Sequence, residues 1–151
     1  MRRRLLSTIA LMTMSASCAV GQSVPCSATD SKNALDQADR LRTWQTLYRT
    51  YKRYDQCDDG GIGEGFSESV ARILADHWRT LPQLSSLVKR DAGFRRFVLR
   101  HIDATLNPDD VNKIISKANA SCPVGLGSLC NDIKKNAAIA LKEGGDDNPK
   151  K

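Results

Sequence analysis

Residues 31–54 read SKNALDQADRLRTWQTLYRTYKRY, and the spacing within them decides the fold class. Leu35, Ala38, Leu41, Trp44, Leu47, Tyr48, Tyr51 and Tyr54 recur at steps of three and four residues. That period gathers them on one apolar stripe of an α-helix, with Lys32, Asp39, Arg42, Arg49 and Lys52 on the opposite face. The stretch predicts one long amphipathic helix of about 24 residues, capped at Asp30 or Ser31.

The same period continues downstream. Phe66, Val70, Ile73, Leu74, His77, Trp78 and Leu81 form a second stripe, and Pro82 opens a short helical turn through Leu84, Leu87 and Val88. Asp91 is a natural cap for a helix carrying Phe94, Phe97, Val98, His101 and Ile102. Asn107-Pro108-Asp109-Asp110 starts another, with Asn at the cap, Pro in the first turn and acids at its positive end. Val111, Ile114, Ile115 and Ala118 carry that helix toward Cys122-Pro123. A last helix spans 126–142, with Leu129, Cys130, Ile133, Ala137 and Leu141 on its stripe. No segment alternates at period two. The expected fold is all-α: one small domain of five or six helices in an irregular bundle, stabilised by disulfides.

The ends read differently. Met1-Arg2-Arg3-Arg4 is basic, 5–14 is mainly apolar, and Ser15-Ala16-Ser17-Cys18-Ala19-Val20-Gly21 is built of small residues. Basic, apolar and small segments in that order make a secretory signal peptide over 1–21, cleaved after Gly21. A lipid anchor on Cys18 is the alternative, although Ser15 stands where such signals usually carry Leu. Residues 22–30 are small and polar and read as a loose leader. The helical domain is expected over 31–142, and 143–151 as a disordered tail. The apolar run at the start is shorter than the roughly 20 residues a membrane helix needs, and basic residues interrupt every later candidate. The expected location is the periplasm or the exterior, with no transmembrane span.

Export bears on charge and cysteines together. The chain carries 23 basic and 17 acidic side chains, a net +6 that falls to +3 once Arg2, Arg3 and Arg4 are removed. So modest an excess does not call for nucleic acid. Removal of Cys18 leaves Cys26, Cys57, Cys122 and Cys130, for which three pairings exist. A bridge from Cys57 to Cys122 or Cys130 is the favoured expectation, because a long closed loop stabilises most, by about 4 kcal/mol. Cys26, near the mature start, then becomes the odd partner or a free thiol.

The segment 55–68, DQCDDGGIGEGFSE, is the densest in polar residues and glycines. Aligned from Asp55 it echoes a calcium loop, with Asp59 fifth and Gly60 sixth, but Phe66 occupies the twelfth position where a bidentate Glu belongs. Asp58 or Asp59 with Glu64 or Glu68 would suit the two-carboxylate chemistry of a glycosidase. A structural turn is the stronger reading, since acids favour a helix start and glycines allow sharp turning. Asp58, Asp59, Glu64 and Glu68 are therefore partner-contact candidates. So are Arg95, Arg96 and Arg100, which cluster with Lys89 and Arg90 toward an acidic partner.

His77 and His101, with Asp76 and Asp103 nearby, read as packed side chains rather than zinc ligands. The chain holds no Gly-x-Ser-x-Gly elbow, His-Glu-x-x-His pair, phosphate loop or Cys-x-x-Cys motif, so no cofactor and no metal are expected. The expected function is an exported cell-envelope binding protein without catalytic activity, such as an inhibitor of a partner enzyme. The alternative is a small periplasmic hydrolase using acids of the 55–68 segment. In size, helicity and cysteine use the chain is similar to periplasmic immunity proteins of type VI secretion amidases. The likeness lies in general architecture and implies a protein that binds and neutralises a cell-wall enzyme. No motif matches residue for residue, so it assigns no site.

Overall fold

Ser27 starts the first helix. In the computed structural model, which describes residues 25–146, its hydroxyl accepts from the backbone N–H of Asp30 at 3.1 Å and caps α1 (Ala28–Ala38). The loose leader expected over 22–30 is thus already helical at its end, and the cap falls upstream of Asp30 and Ser31. The predicted signal peptide and Cys18 lie outside the described residues.

The long helix expected over 31–54 is two. After α1 the chain turns at Asp39–Arg42, and α2 (Trp44–Tyr54) starts at Thr43, which exchanges capping hydrogen bonds with Thr46. The break is held from outside. Ser69, buried in a later helix, donates to the Ala38 carbonyl at 2.5 Å and accepts from the Leu41 N–H at 3.2 Å. Those backbone groups would otherwise bond along a continuous helix. Because the apolar period runs through the turn in phase, periodicity alone does not reveal it.

A 3-10 turn at Asp55–Cys57 leads into α3 (Gly60–Asp76), then a second such turn at Trp78–Thr80 and α4 (Leu81–Arg90). Next come α5 (Ala92–Arg100), α6 (Pro108–Ala120) and α7 (Gly127–Asp146). The described residues thus form seven α-helices and no strand, an all-α domain as expected, though divided more finely. Asp91 and Asn107 cap α5 and α6 through the N–H groups of Phe94 and Asp109, as their sequence positions indicate. Residues 143–146, expected in the tail, belong to α7, and the rest of the expected tail lies outside the described residues.

Helix α3 is the central element. It packs on α1 along one side and on α6 along another, and it buries Ile62, Phe66, Val70, Ile73 and Leu74. Phe66, Phe94 and Phe97 are fully buried and join Tyr51 in an aromatic layer between α2, α3 and α5. Trp44 and Trp78 each spend their indole N–H on a partner, Thr80 Oγ1 and the Ser121 carbonyl, both at 2.9 Å. Burying the rings therefore strands no donor.

The disulfides correct the expected pairing. Cys26 joins Cys57, and Cys122 joins Cys130. Cys26 is neither odd nor free, and no bridge ties Cys57 to the C-terminal pair. The first bridge fastens the lead-in of α1 to the turn before α3. The second closes the short loop between α6 and α7.

Candidate functional site

Most of the segment expected to be a glycine-rich loop is the first half of α3. Asp59 caps it, accepting from the Gly60 N–H at 2.8 Å, and Gly60 has φ +50°, a conformation open to glycine. Ile62 and Phe66 then reach the core. Their burial outweighs the poor helix propensity of four nearby glycines, each costing roughly 1 kcal/mol relative to Ala.

Asp58 is the centre of the site. Its carboxylate is buried, 6% exposed, although it stands in an exposed turn. Oδ1 lies 3.0 Å from His101 Nε2, while Oδ2 receives Nε and Nη2 of Arg100. Arg100 also reaches Asp55 Oδ1 at 3.0 Å and lies over the Phe97 ring. Burial works against the Asp58 charge, but the hydrogen bonds from His101 and Arg100 outweigh it and hold the carboxyl below its usual pKa.

The His101 ring is buried and has oxygen on both sides. Nδ1 faces the Phe97 carbonyl at 2.8 Å and Nε2 faces Asp58. A carbonyl only accepts, so Nδ1 carries a hydrogen, and a second hydrogen must lie between Nε2 and Oδ1. The sequence neighbour Asp103 is not the partner. It accepts instead from Ser67 Oγ at 2.6 Å and from the N–H and hydroxyl of Thr105. His77, placed by periodicity on an apolar stripe, is exposed at the end of α3.

Around this clasp opens a cleft of about 370 Å³, lined by Asp59, Glu64, Ser67, Arg100, Asp103 and Thr105 among others. Glu64 and Thr105 also border a neighbouring groove of about 440 Å³ between α1 and α3. Asp36, Asp39, Glu64 and Glu68 rim that groove, with Arg40 as its one base. Gly61 and Gly65 expose backbone along it, and Leu35 is 55% exposed. Glu68 pairs with Arg72, whereas Glu64 has no ion-pair partner among the described residues.

The acidic candidates thus gather on one side of the molecule, and the basic ones disperse. Arg100 joins the acids, Arg95 pairs with Asp132 of α7, and Arg96 projects to solvent. Asp36, Asp39, Ser67 and His101 enter the site without having been singled out for it. The one sequence cue was the carboxylate spacing, 36 with 39 and 64 with 68, which places each pair on a helical face. Which faces meet depends on α1 packing on α3.

Chemically, Asp58 does not suit the general acid of a glycosidic pair, which needs a raised pKa. The calcium-loop alignment also dissolves, because Cys57 at its third position is bridged to Cys26, Asp59 at its fifth is a helix cap and Asp55 at its first accepts from Arg100. No family model matches the chain, and no curated protein or solved structure is significantly similar to it.

Proposed function

We propose that the protein is an exported cell-envelope binding protein, without catalysis of its own, that holds or neutralises a partner protein. The groove between α1 and α3 is the contact surface. Its partner is a protein segment offering Lys or Arg to the acidic rim and an apolar side chain to Leu35. The observation that carries this reading is the division of labour among the carboxylates. Asp58 is consumed by a buried clasp that fixes the backbone and Glu68 pairs with Arg72, while Asp36 and Glu64 stand beside the Gly61 backbone with no ion-pair partner among the described residues. Charges arranged this way favour rapid, selective encounter with an oppositely charged face. Two disulfides and the signal-like start favour an oxidising compartment as the setting.

Capture from periplasmic extract by the oxidised protein and by a Glu64→Lys/Glu68→Lys variant tests the reading. Wild type is expected to retain one partner that the variant loses, with both proteins melting alike. Capture of the same partner by both proteins excludes the groove. Hydrolysis of glycan or peptidoglycan by the wild type, lost in Glu64→Gln/Glu68→Gln, would establish the hydrolase in its place.

A further inference from the structure

Helix α2 carries Arg49, Lys52 and Arg53 and no acidic residue. Arg49 and Arg53 stand one turn apart, where like charges destabilise a helix. The helix dipole favours Arg53 in the last turn, but Arg49 lies near the middle. Arg72, Arg95 and Arg100 are paired with carboxylates. The guanidiniums of Arg49 and Arg53 have no hydrogen bond or ion pair among the described residues, and Arg53 simply lies over the Tyr54 ring at 5.2 Å.

Both arginines line a pocket of about 310 Å³ in the angle between α1 and α2, with Gln37, Leu41, Thr50 and Tyr54 among its other walls. No carboxylate lines it, since Asp36 and Asp39 border the α1–α3 groove instead. The turn that Ser69 holds at Ala38 and Leu41 creates this angle, and a continuous helix would have none. Thr50 supplies a second, independent observation. It is only 7% exposed, and its hydroxyl has no hydrogen-bond partner among the described residues. None of the described buried side-chain polar atoms is sealed from solvent without a partner, so this oxygen opens on the pocket that Thr50 lines. A largely buried hydroxyl left unpaired costs free energy, and a bound acceptor removes that cost.

We propose that this pocket binds a phosphate monoester group. Arg49 and Arg53 offer forked N–H donors and Thr50 offers its O–H, none of them spent on an acceptor within the protein. A phosphate monoester presents three acceptor oxygens and a charge of about −2, which balances two arginines. A carboxylate brings one charge and two oxygens, and leaves one of these donors idle. The volume lies at the small end of ligand clefts, about 300–1,000 Å³, and leaves room beside the phosphate for part of its ester group. The site shares no residue with the α1–α3 groove and stands or falls without it.

Calorimetric titration of the purified, disulfide-intact protein with phenyl phosphate, in about 0.15 M salt, tests the site. Binding is expected with a Kd below about 1 mM, and benzoate, which carries the same ring, should bind at least about tenfold more weakly. Arg49→Gln and Arg53→Gln should each weaken phenyl phosphate binding about tenfold. Arg79→Gln removes the same charge from an exposed position elsewhere and should leave binding unchanged. Thr50→Val separates binding from folding, because it keeps the branched shape and deletes only the hydroxyl. Affinity should fall at least about threefold, while the melting temperature holds or rises. Cosedimentation with phosphatidylcholine vesicles, with and without phosphatidic acid, identifies the source of the phosphate. Retention by phosphatidic acid that Arg49→Gln abolishes places the group on a lipid, and phenyl phosphate binding without retention makes it a soluble ester. Binding of neither probe, benzoate bound as tightly as phenyl phosphate, equal losses in Arg79→Gln and Arg49→Gln, or unaltered affinity in Thr50→Val overturns the proposal.

Discussion

At the scale of single residues, Asp58 and His101 depend on each other. Forty-three positions separate them, yet they meet in the core with Arg100 closing the other side. Breaking a buried ion pair from one side leaves a charge without its counterpart, so Asp58→Asn is expected to cost about 3 kcal/mol in urea unfolding near neutral pH. The dependence on acid follows from the direction of the shift. The folded pKa of Asp58 lies below its ordinary value, so the stability it supplies is complete above about pH 4 and is lost as pH falls through the folded pKa. Unfolding midpoints of wild type should therefore drop on acidification more than those of Asp58→Asn. Equal acid sensitivity in the two proteins would show that the clasp contributes nothing to it. The sequence marks both histidines as apolar-stripe residues with an acid beside them. Only packing separates exposed His77 from buried His101 and gives the latter a distant partner in place of Asp103.

At the scale of elements, the contact between α1 and α3 makes opposite demands on two glycines of one helix. A methyl group at Gly65 would lie 2.8 Å from Ala38 Cβ and 3.1 Å from the Asp39 nitrogen, so the helices would have to separate. At Gly61 the nearest atom is the Leu35 Cδ1, at an ordinary 3.7 Å. Helix propensity favours alanine at both sites by roughly 1 kcal/mol. Gly61→Ala is thus expected to stabilise by about 0.5–1 kcal/mol, and Gly65→Ala to destabilise by about 1–3 kcal/mol. Thermal melts of the two variants moving in the same direction would refute the close approach. Helical periodicity predicted most of these elements from spacing and caps, α5 and α6 with their cap residues. It failed where tertiary contact overrides local preference. Ser69 divides what reads as one helix at Leu41, and buried Ile62 and Phe66 draw a glycine-rich stretch into α3.

At the scale of the whole molecule, the two disulfides differ in how much chain they constrain. Cys26–Cys57 spans 31 residues and Cys122–Cys130 spans 8. Loop-closure entropy assigns the first about 3.7 kcal/mol and the second about 2.5 kcal/mol. Replacing both cysteines of a bridge by serine should accordingly lower the urea midpoint more for Cys26/Cys57 than for Cys122/Cys130. The reverse order would mean that the leading segment is not held to the domain by its bridge. The proposed export has its own signature. The mature protein is expected to begin at Gln22, as an intact mass free of lipid, and to show no reactive thiol when unfolded without reductant. A diacylglycerol adduct on Cys18 would instead place the chain on a membrane. No helix among the described residues is long and apolar enough to cross one.

Spacing, capping and composition were enough to establish an α-helical domain, the starts of several of its helices, and cysteines that would be bridged. Those signals act over a few residues, so a single chain displays them without reference to its fold. The disulfide partners, the division of α1 from α2, the burial of Asp58 against His101 and the meeting of two acidic helix faces at one groove came from tertiary packing. Each of these joins residues far apart in the chain. Local periodicity identifies which face of a helix is buried, but carries no information about the face it packs against.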